Sequence, residues 1–453
     1  MKNVFYYEHG CIYCNILRDY LIENKIIFNE INIIDAPRHI KDFNEVPIID
    51  TGNIIIVGLD WIRINKYFNI KDTLHKYIYL DNASTTNIKS EVIDAMKPYI
   101  SKKFFNASSK YSPAIENKLI IDDCRRKISN LLNCRYNELF FTSGGSESNN
   151  TILKGIALAN KNKGNHIIIS SIEHSSILKT CEFLETIGYV VTRIPVDNNG
   201  IIKLDELKSA ITEETILISV MFANNEIGTI QPIKQISQIA HEKNILFHTD
   251  AVQAIGFIPI DIKKYDIDLL SFSGHKIHGP KGVGAMYIKS GINVIPLIHG
   301  GNQENGLRAG TESVANIVGL TKAIEVALKN IKCNNGRLIN LRNKFIKELI
   351  NNFPNIKLNG HPEIRLPGNV NVSFDINSEI LKSMLDIEKI YVSSGSACSE
   401  NNLLPSHVLK EIGLDDTLAR CSIRFSLSYD TTENDISRTI LVLNKIVNKV
   451  YRY

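Results

Sequence analysis

Two joined α/β units are predicted by this sequence: a small one, then a longer one built on a mostly parallel sheet. Three observations carry the prediction. At 453 residues the chain exceeds the ~250–300 residues that one core serves. From Tyr77 onward, runs rich in β-branched residues alternate with helical periods, the pattern of a sheet covered on both faces. Ahead of that, one strand–helix–strand–hairpin–helix pattern runs over residues 1–75, enough chain to fold alone.

The elements follow in order. NVFYY reads as a strand, EHG as a turn, and CIYCNILRDYLIENK has the apolar spacing of an amphipathic helix. IIFNEINI is a second strand, and EVPIIDTGNIIIVG a hairpin turning at Thr51-Gly52-Asn53. DWIRINKYFNI closes the unit as a helix and KDTLHK is the linker. Beyond it, NELFFTSGG leads into the helix SESNNTILKGIALAN, NHIIISSIEH into SSILKTCEFLETIG, and TILISVMFANNEIG into IKQISQIAHEK. ILFHTDAVQ and DLLSFSGHK are further strands. Each strand carries a polar cluster at its C-terminal end, the edge at which open α/β sheets bind ligands.

Composition narrows the class. Hydrophobic residues at 44% and charged residues at 22% are the balance of a soluble globular protein. A net charge of +4, from 52 basic against 48 acidic residues, is too small to point to nucleic acid or an anionic membrane. No apolar run approaches the ~20 residues of a membrane span, and MKNVFYYEHGC does not read as a signal peptide. Eight cysteines are too sparse for a disulfide framework, so a reducing cytoplasm is expected.

The edge clusters suggest one ligand. TSGGSES puts Gly144, Gly145 and Ser146 where a strand turns into a helix, a place for phosphate, although a glycine turn with a serine cap is the plainer reading of the motif alone. HTDAVQ ends a strand on Asp250, with Gln253 following; helix capping is the plainer use of such an aspartate. SFSGHKIHGPKG is more specific: Lys276 sits after an apolar strand between Ser273, His275 and a glycine-proline turn. A lysine held away from bulk water there has a lowered pKa and acts as an amine nucleophile; a solvated surface lysine is the ordinary alternative. A phosphate cradle, an acid and a lysine together match pyridoxal 5′-phosphate. SIEHSS adds His174, placed to lie on the cofactor ring.

YLDNASTT, FTSGGSESNN, IEHSS, NNEIG, HTDAVQ, SFSGHKIHGPKG, RAGTES, RLPGNVNVSF, SSGSACSE and SIRFSL occur in this order from about Tyr79 to the C-terminus. The chain thereby resembles the cysteine desulfurases of the NifS/IscS family. The resemblance implies a homodimeric fold-type I enzyme over residues 76–453, with a large cofactor-binding domain of about 92–330 and a small domain of about 77–91 plus 331–453. It implies that sulfur moves from L-cysteine, which becomes alanine, to acceptor or scaffold proteins for iron–sulfur cluster assembly or tRNA thiolation. By motif, Lys276 bonds the cofactor aldehyde and removes the Cα proton. His174 stacks on the ring and transfers protons, and Asp250 and Gln253 contact the ring nitrogen and hydroxyl. Gly145, Ser146, Ser273 and His275 bind phosphate, and Thr311 reaches the phosphate of the second subunit. Asn225 contacts cofactor and substrate, and Arg424 grips the substrate carboxylate. Gly145-Ser146 stands where many relatives have Ala-Thr, and His278 where tyrosine is frequent.

Cys398 lies in VSSGSACSE among small and hydroxyl-bearing residues, with no cysteine nearby. The resemblance makes it the sulfur acceptor, which must reach the substrate and then a partner. Gly395 and small neighbours give the backbone that freedom. No metal site is expected, beyond transient ligation of a cluster by Cys398 with a scaffold partner. Two other classes fit the same motifs: a selenocysteine lyase or aminotransferase that needs no thiol, and a cluster-assembly scaffold with little turnover.

The first unit carries its own signal. YYEHGCIYC places Cys11 near a helix start, whose dipole lowers a thiol pKa, with Cys14 one turn on. Zinc is the alternative, but no second CxxC pair is present. The segment is similar to glutaredoxin-like domains of thioredoxin fold, which implies a cis-proline at Pro47 and glutathione contacts at Gly58 and Asp60. Ile12 and Glu45 depart from the frequent proline and threonine, which leaves glutathione or a thioredoxin reductase-type donor as the electron source.

Overall fold

The computed structural model describes residues 3–43, 45–70, 77–329, 331–394 and 405–451. The KDTLHK linker and Cys398 lie outside the described residues. The chain divides into two compact units, one of residues 1–79, 376–392 and 432–453, the other of residues 80–375 and 393–431.

In the first unit the strand Asn3–Tyr7 pairs parallel with Phe28–Asn32 and antiparallel with Ile48–Asp50, which pairs antiparallel with Ile55–Val57. The sheet is four-stranded, with Asn3–Tyr7 and Ile48–Asp50 inside. The helix Ile12–Glu23 is held by its apolar stripe: Cys14, Leu17 and Leu21 recur at i, i+3 and i+7 and are fully buried. Asp60 caps the helix Trp61–Tyr67 by accepting from Arg63 N–H at 3.0 Å. Val46–Pro47 is cis, as the resemblance implies. The same unit holds the helices Ser378–Ile387 and Glu433–Val450, and Lys449 pairs with Asp19 at 3.1 Å and Glu23 at 3.5 Å. Ile78–Tyr79 pairs parallel with Ile390–Tyr391.

The second unit is built on a seven-stranded sheet. Its order is Leu139–Thr142, Gly284–Ile288, Leu269–Ser273, Leu246–Asp250, Thr215–Ser219, His166–Ser170, Val190–Ile194. The sheet is mostly parallel, as expected; Gly284–Ile288 alone runs against its neighbours. Side chains alternate across it: Ile167, Ile169 and Leu217 enter one apolar cluster, Ile168, Ile218 and Phe247 the other. That two-sided burial is why these strands are continuous apolar runs. A small antiparallel sheet of Lys357–Leu358, Asn369–Ser373 and Ser422–Ser426 carries Arg424. Among the described residues, no helix is long and apolar enough to cross a membrane.

Candidate active site

A cavity of about 220 Å³ opens at the C-terminal ends of the central strands, and Lys276, Asp250, His174, Asn225 and Arg424 all line it. Gly145, Ser146, Gln253, Ser273 and His275 complete the set of expected residues on its wall. Thr311 is exposed and does not line the cavity. Of the expected residues of this site, Cys398 lies outside the described residues.

The sheet brings these groups together. Leu269–Ser273 ends in a single 3-10 turn, Gly274–Lys276, because Gly274 is packed against Pro280, Leu320 and Val283. Lys276 Nζ donates to the carbonyls of Ala83 at 2.5 Å and Ser84 at 2.7 Å. Gln253 Nε2 donates to the same Ala83 oxygen at 3.0 Å. Asp250 closes its strand with both oxygens engaged: Oδ1 accepts from Val252 N–H at 2.9 Å and Oδ2 from Asn149 Nδ2 at 2.7 Å. Its aspartate is thus a buried acceptor aimed along the cavity wall rather than a helix cap.

The helix Gly145–Ala159 begins at the cavity with its unpaired N–H groups and positive end, which suits an anion. A Cβ at Gly145 would stand 2.5 Å from Val252 Cγ2, so glycine here goes with the branched neighbour. His275 shares a hydrogen bond with Thr85 Oγ1 at 3.2 Å, and burial, then Lys276, pushes its pKa down to about 4. His278 is buried, adopts φ +62°, and its Nδ1 meets the Asn87 carbonyl at 3.0 Å; it ties this turn to the segment around Asn87.

Arg424 is 1% exposed. It donates to Asp81 Oδ1 at 2.7 Å, Ser84 Oγ at 2.8 Å and the Asn225 carbonyl at 3.1 Å, while its Nε has no partner among the described residues. A buried guanidinium with an unused donor beside a cavity is suited to a carboxylate ligand. His174 is the N-cap of the helix Ser175–Thr186, and burial pushes its pKa below the ordinary value.

Sequence reasoning passes over several of these groups. Asp81 and Ser84 lie in the motif YLDNASTT, which assigns them no role. Asn149 is legible in principle: Ser146 and Asn149 stand at i, i+3 on one helix face. Glu173 is fully buried, and burial pushes its carboxyl up to about 8; it accepts from Ser170 Oγ at 2.5 Å and Met221 N–H at 2.8 Å. It lies in the motif IEHSS, which assigns it no role.

In the first unit, Cys11 is the N-cap of Ile12–Glu23, and Cys14 N–H donates to its sulfur at 3.1 Å. The hydrogen bond from Cys14 lowers the Cys11 thiol to about 7 against the opposing effect of burial. Cys14 is fully buried and its pKa is raised, by Cys11 first and burial second. The first sulfur thus ionises more readily than an ordinary thiol and the second less readily. Among the described residues, no group of three or more His, Cys, Asp or Glu is placed to hold a metal ion.

Residues 78–439 match the family described as aminotransferase class-V. That match begins after the first four-stranded sheet. A cysteine desulfurase IscS of Clostridium botulinum (strain Kyoto / Type A2) is 52% identical over 379 residues, 83% of this chain and 96% of that relative. Among solved structures, a NifS-like protein is similar with a TM-score of 0.78 at 38% identity, covering 82% of this chain and 100% of its own. A structure titled SspA in complex with cysteine has a TM-score of 0.69 at 38% identity, covering 77% and 98%.

Proposed function

The chain belongs to the aminotransferase class-V family, within it to the cysteine desulfurases of the IscS/NifS type, and from that premise we propose how its cavity works. The enzyme is pyridoxal 5′-phosphate-dependent and converts L-cysteine to L-alanine, passing the sulfur to Cys398 as a persulfide. Acceptors for iron–sulfur cluster assembly or tRNA thiolation then take it. The observation that carries this reading is the convergence of Lys276, Asp250, His174 and Arg424 on one cavity.

The residues suit the cofactor: a helix N-terminus with Gly145 and Ser146 for phosphate, joined by Ser273 and His275, and an aspartate at the far wall. Bound there, pyridoxal phosphate supplies an electron sink for a carbanion at the substrate Cα. Asp250 would hold a proton on the ring nitrogen and Gln253 would meet the ring hydroxyl. His174 would stack on the ring, and Asn225 would contact ring and substrate. Arg424 grips the substrate carboxylate through the donor it leaves unused. Lys276 Nζ takes the Cα proton. The Cys398 thiolate attacks the substrate sulfur; an S–S bond forms as the C–S bond breaks, and the carbon is protonated to give alanine. Thr311 serves the site of a second copy, and exposed Ile100, Phe104 and Leu119 offer that copy an apolar surface. A reducing cytoplasm keeps the thiols ready.

Pure protein with L-cysteine and excess dithiothreitol is expected to form alanine and sulfide in equal amounts; without added thiol, alanine equals the sulfur held as persulfide plus any sulfide released, and the Cys398 peptide is one sulfur heavier. Alanine from selenocysteine but not from cysteine would favour the lyase reading; no alanine from either would favour the scaffold.

Residues 1–75 are a glutaredoxin-like dithiol domain in this proposal. The four-stranded sheet with a readily ionised thiol at the first helix cap and a buried second thiol supports it. Cys11 attacks the inner sulfur of the Cys398 persulfide, expelling hydrosulfide and forming a Cys11–Cys398 mixed disulfide; Cys14 then resolves it, forming the Cys11–Cys14 disulfide and freeing the Cys398 thiolate, so the dithiol supplies the two electrons. Glutathione or a thioredoxin reductase-type donor restores it. The dithiol and Cys398 belong to one chain. Tethering of this kind gives effective concentrations on the order of mM. Prereduced protein without added thiol is expected to release a burst of sulfide. A Cys11→Ser/Cys14→Ser chain is expected to stall at the persulfide, yet to match the native chain in excess dithiothreitol. Equal bursts would rule out reduction by this dithiol.

A further inference from the structure

The hydrogen bonds around His174 leave its proton one place to be. An ionised carboxylate only accepts, so the Asn149 amide must turn its NH2 toward Asp250 Oδ2, 2.7 Å away. The same nitrogen stands 2.9 Å from Ser176 Oγ. Asn149 is 1% exposed, so its two hydrogens go to these two oxygens rather than to solvent. Ser176 Oγ therefore accepts from Asn149 and has a single hydrogen to give. Its remaining neighbour among the described residues is His174 Nδ1 at 2.8 Å. The Ser176 backbone N–H is directed at the same Nδ1, at 3.1 Å. A ring nitrogen that receives two donors carries no proton of its own.

We propose that Ser176 and Asn149 are positioning residues that lock His174 in the tautomer bearing its proton on Nε2, the ring edge turned away from Ser176. The relay starts at Asp250, so one carboxylate sets both its own orientation and, through Asn149 and Ser176, that of the histidine across the cavity. Burial pushes the imidazole pKa down and so favours its neutral form, the form in which the choice of tautomer has consequences. An imidazole with Nε2–H presents a proton donor into a site lined by Lys276 and Asp250; the other tautomer would present a lone pair there. The consequence for turnover rests on the proposed role of His174, whereas the tautomer is a property of the folded chain alone.

The test uses the full-length protein with its cofactor bound and 15N-labelled histidine rings, with His174 assigned by His174→Gln. The native spectrum is expected to show Nδ1 unprotonated and Nε2 protonated. In Ser176→Ala the second tautomer becomes populated and the two nitrogen shifts move toward each other. The kcat falls about fivefold, the factor one neutral hydrogen bond supports, with KM for cysteine little changed. Ser176→Thr, which keeps the hydroxyl, restores both readouts, and Asn149→Ala displaces the shifts in the same sense as Ser176→Ala. A native spectrum with the proton on Nδ1 would overturn the proposal whatever the variants do. Unchanged ring shifts in Ser176→Ala would overturn it as well. Displaced shifts with an unchanged kcat would uphold the lock and count against a role for His174 in turnover.

Discussion

Lys276→Ala is expected to end alanine formation from L-cysteine, with a fall in rate of at least about 10⁴. On the proposed function, two roles are lost with one amine: the covalent anchor for the cofactor aldehyde and the base that takes the Cα proton. The variant is expected to bind pyridoxal phosphate still, because the helix N-terminus at Gly145, together with Asp250 and Gln253, does not depend on Nζ. Borohydride treatment followed by denaturation is expected to leave cofactor on the native chain and none on the variant. Lys276→Arg is no rescue, since a guanidinium stays protonated and cannot act as a nucleophilic amine. Normal turnover in Lys276→Ala would refute the assignment. The carbonyls of Ala83 and Ser84, which accept from Nζ at 2.5 and 2.7 Å, lose a partner, so part of any stability change belongs to them.

Cys398→Ser is expected to separate binding from sulfur transfer. Cofactor and substrate contacts come from Lys276, Asp250, Arg424 and their neighbours, so L-cysteine is expected to perturb the cofactor absorbance of the variant as it does that of the native chain. No persulfide is expected to accumulate, and sulfide release is expected to fall by about 10³ or more, because an alcohol is not a nucleophile toward sulfur at neutral pH. Mass measurement of the cysteine peptides after reaction with L-cysteine decides the matter. Persulfide appearing at the native rate on another residue would remove Cys398 as the carrier. Cys11 is the informative comparison, its thiol lowered to about 7, whereas burial pushes Cys181 up to about 12.

Both variants probe residues whose motifs are legible in the sequence, and the reason is local. The strand ending at Ser273, the turn at Gly274–Lys276 and the strand ending at Asp250 are each encoded by residues adjacent in the chain. Parallel strands must present their C-terminal ends on one edge, so those ends alone gather a lysine, an aspartate, a histidine and a glycine turn. The small sheet near the N-terminus is legible for the same reason. Alternation, the Thr51-Gly52-Asn53 turn and the capping aspartate at Asp60 all act within a few residues.

From sequence alone, then, come the α/β class, the alternation of strands and helices as far as Leu269–Ser273 with Val190–Ile194 passed over, and the polar clusters at those strand ends. These follow from periodicity, caps and turns, which act over less than one element. Only the tertiary structure decided what those side chains touch. Arg424 meets Asp81 across 343 positions of chain, and Asn149 meets Asp250 across 101. The reversed direction of Gly284–Ile288 and the burial of Glu173 arise from packing of the whole sheet. Lys449 reaches Asp19 from the far end of the sequence, so residues 1–79 share a compact unit with the last helix. Such pairings leave no periodic trace, because a hydrogen bond or ion pair selects for geometry between distant segments rather than for any spacing within one.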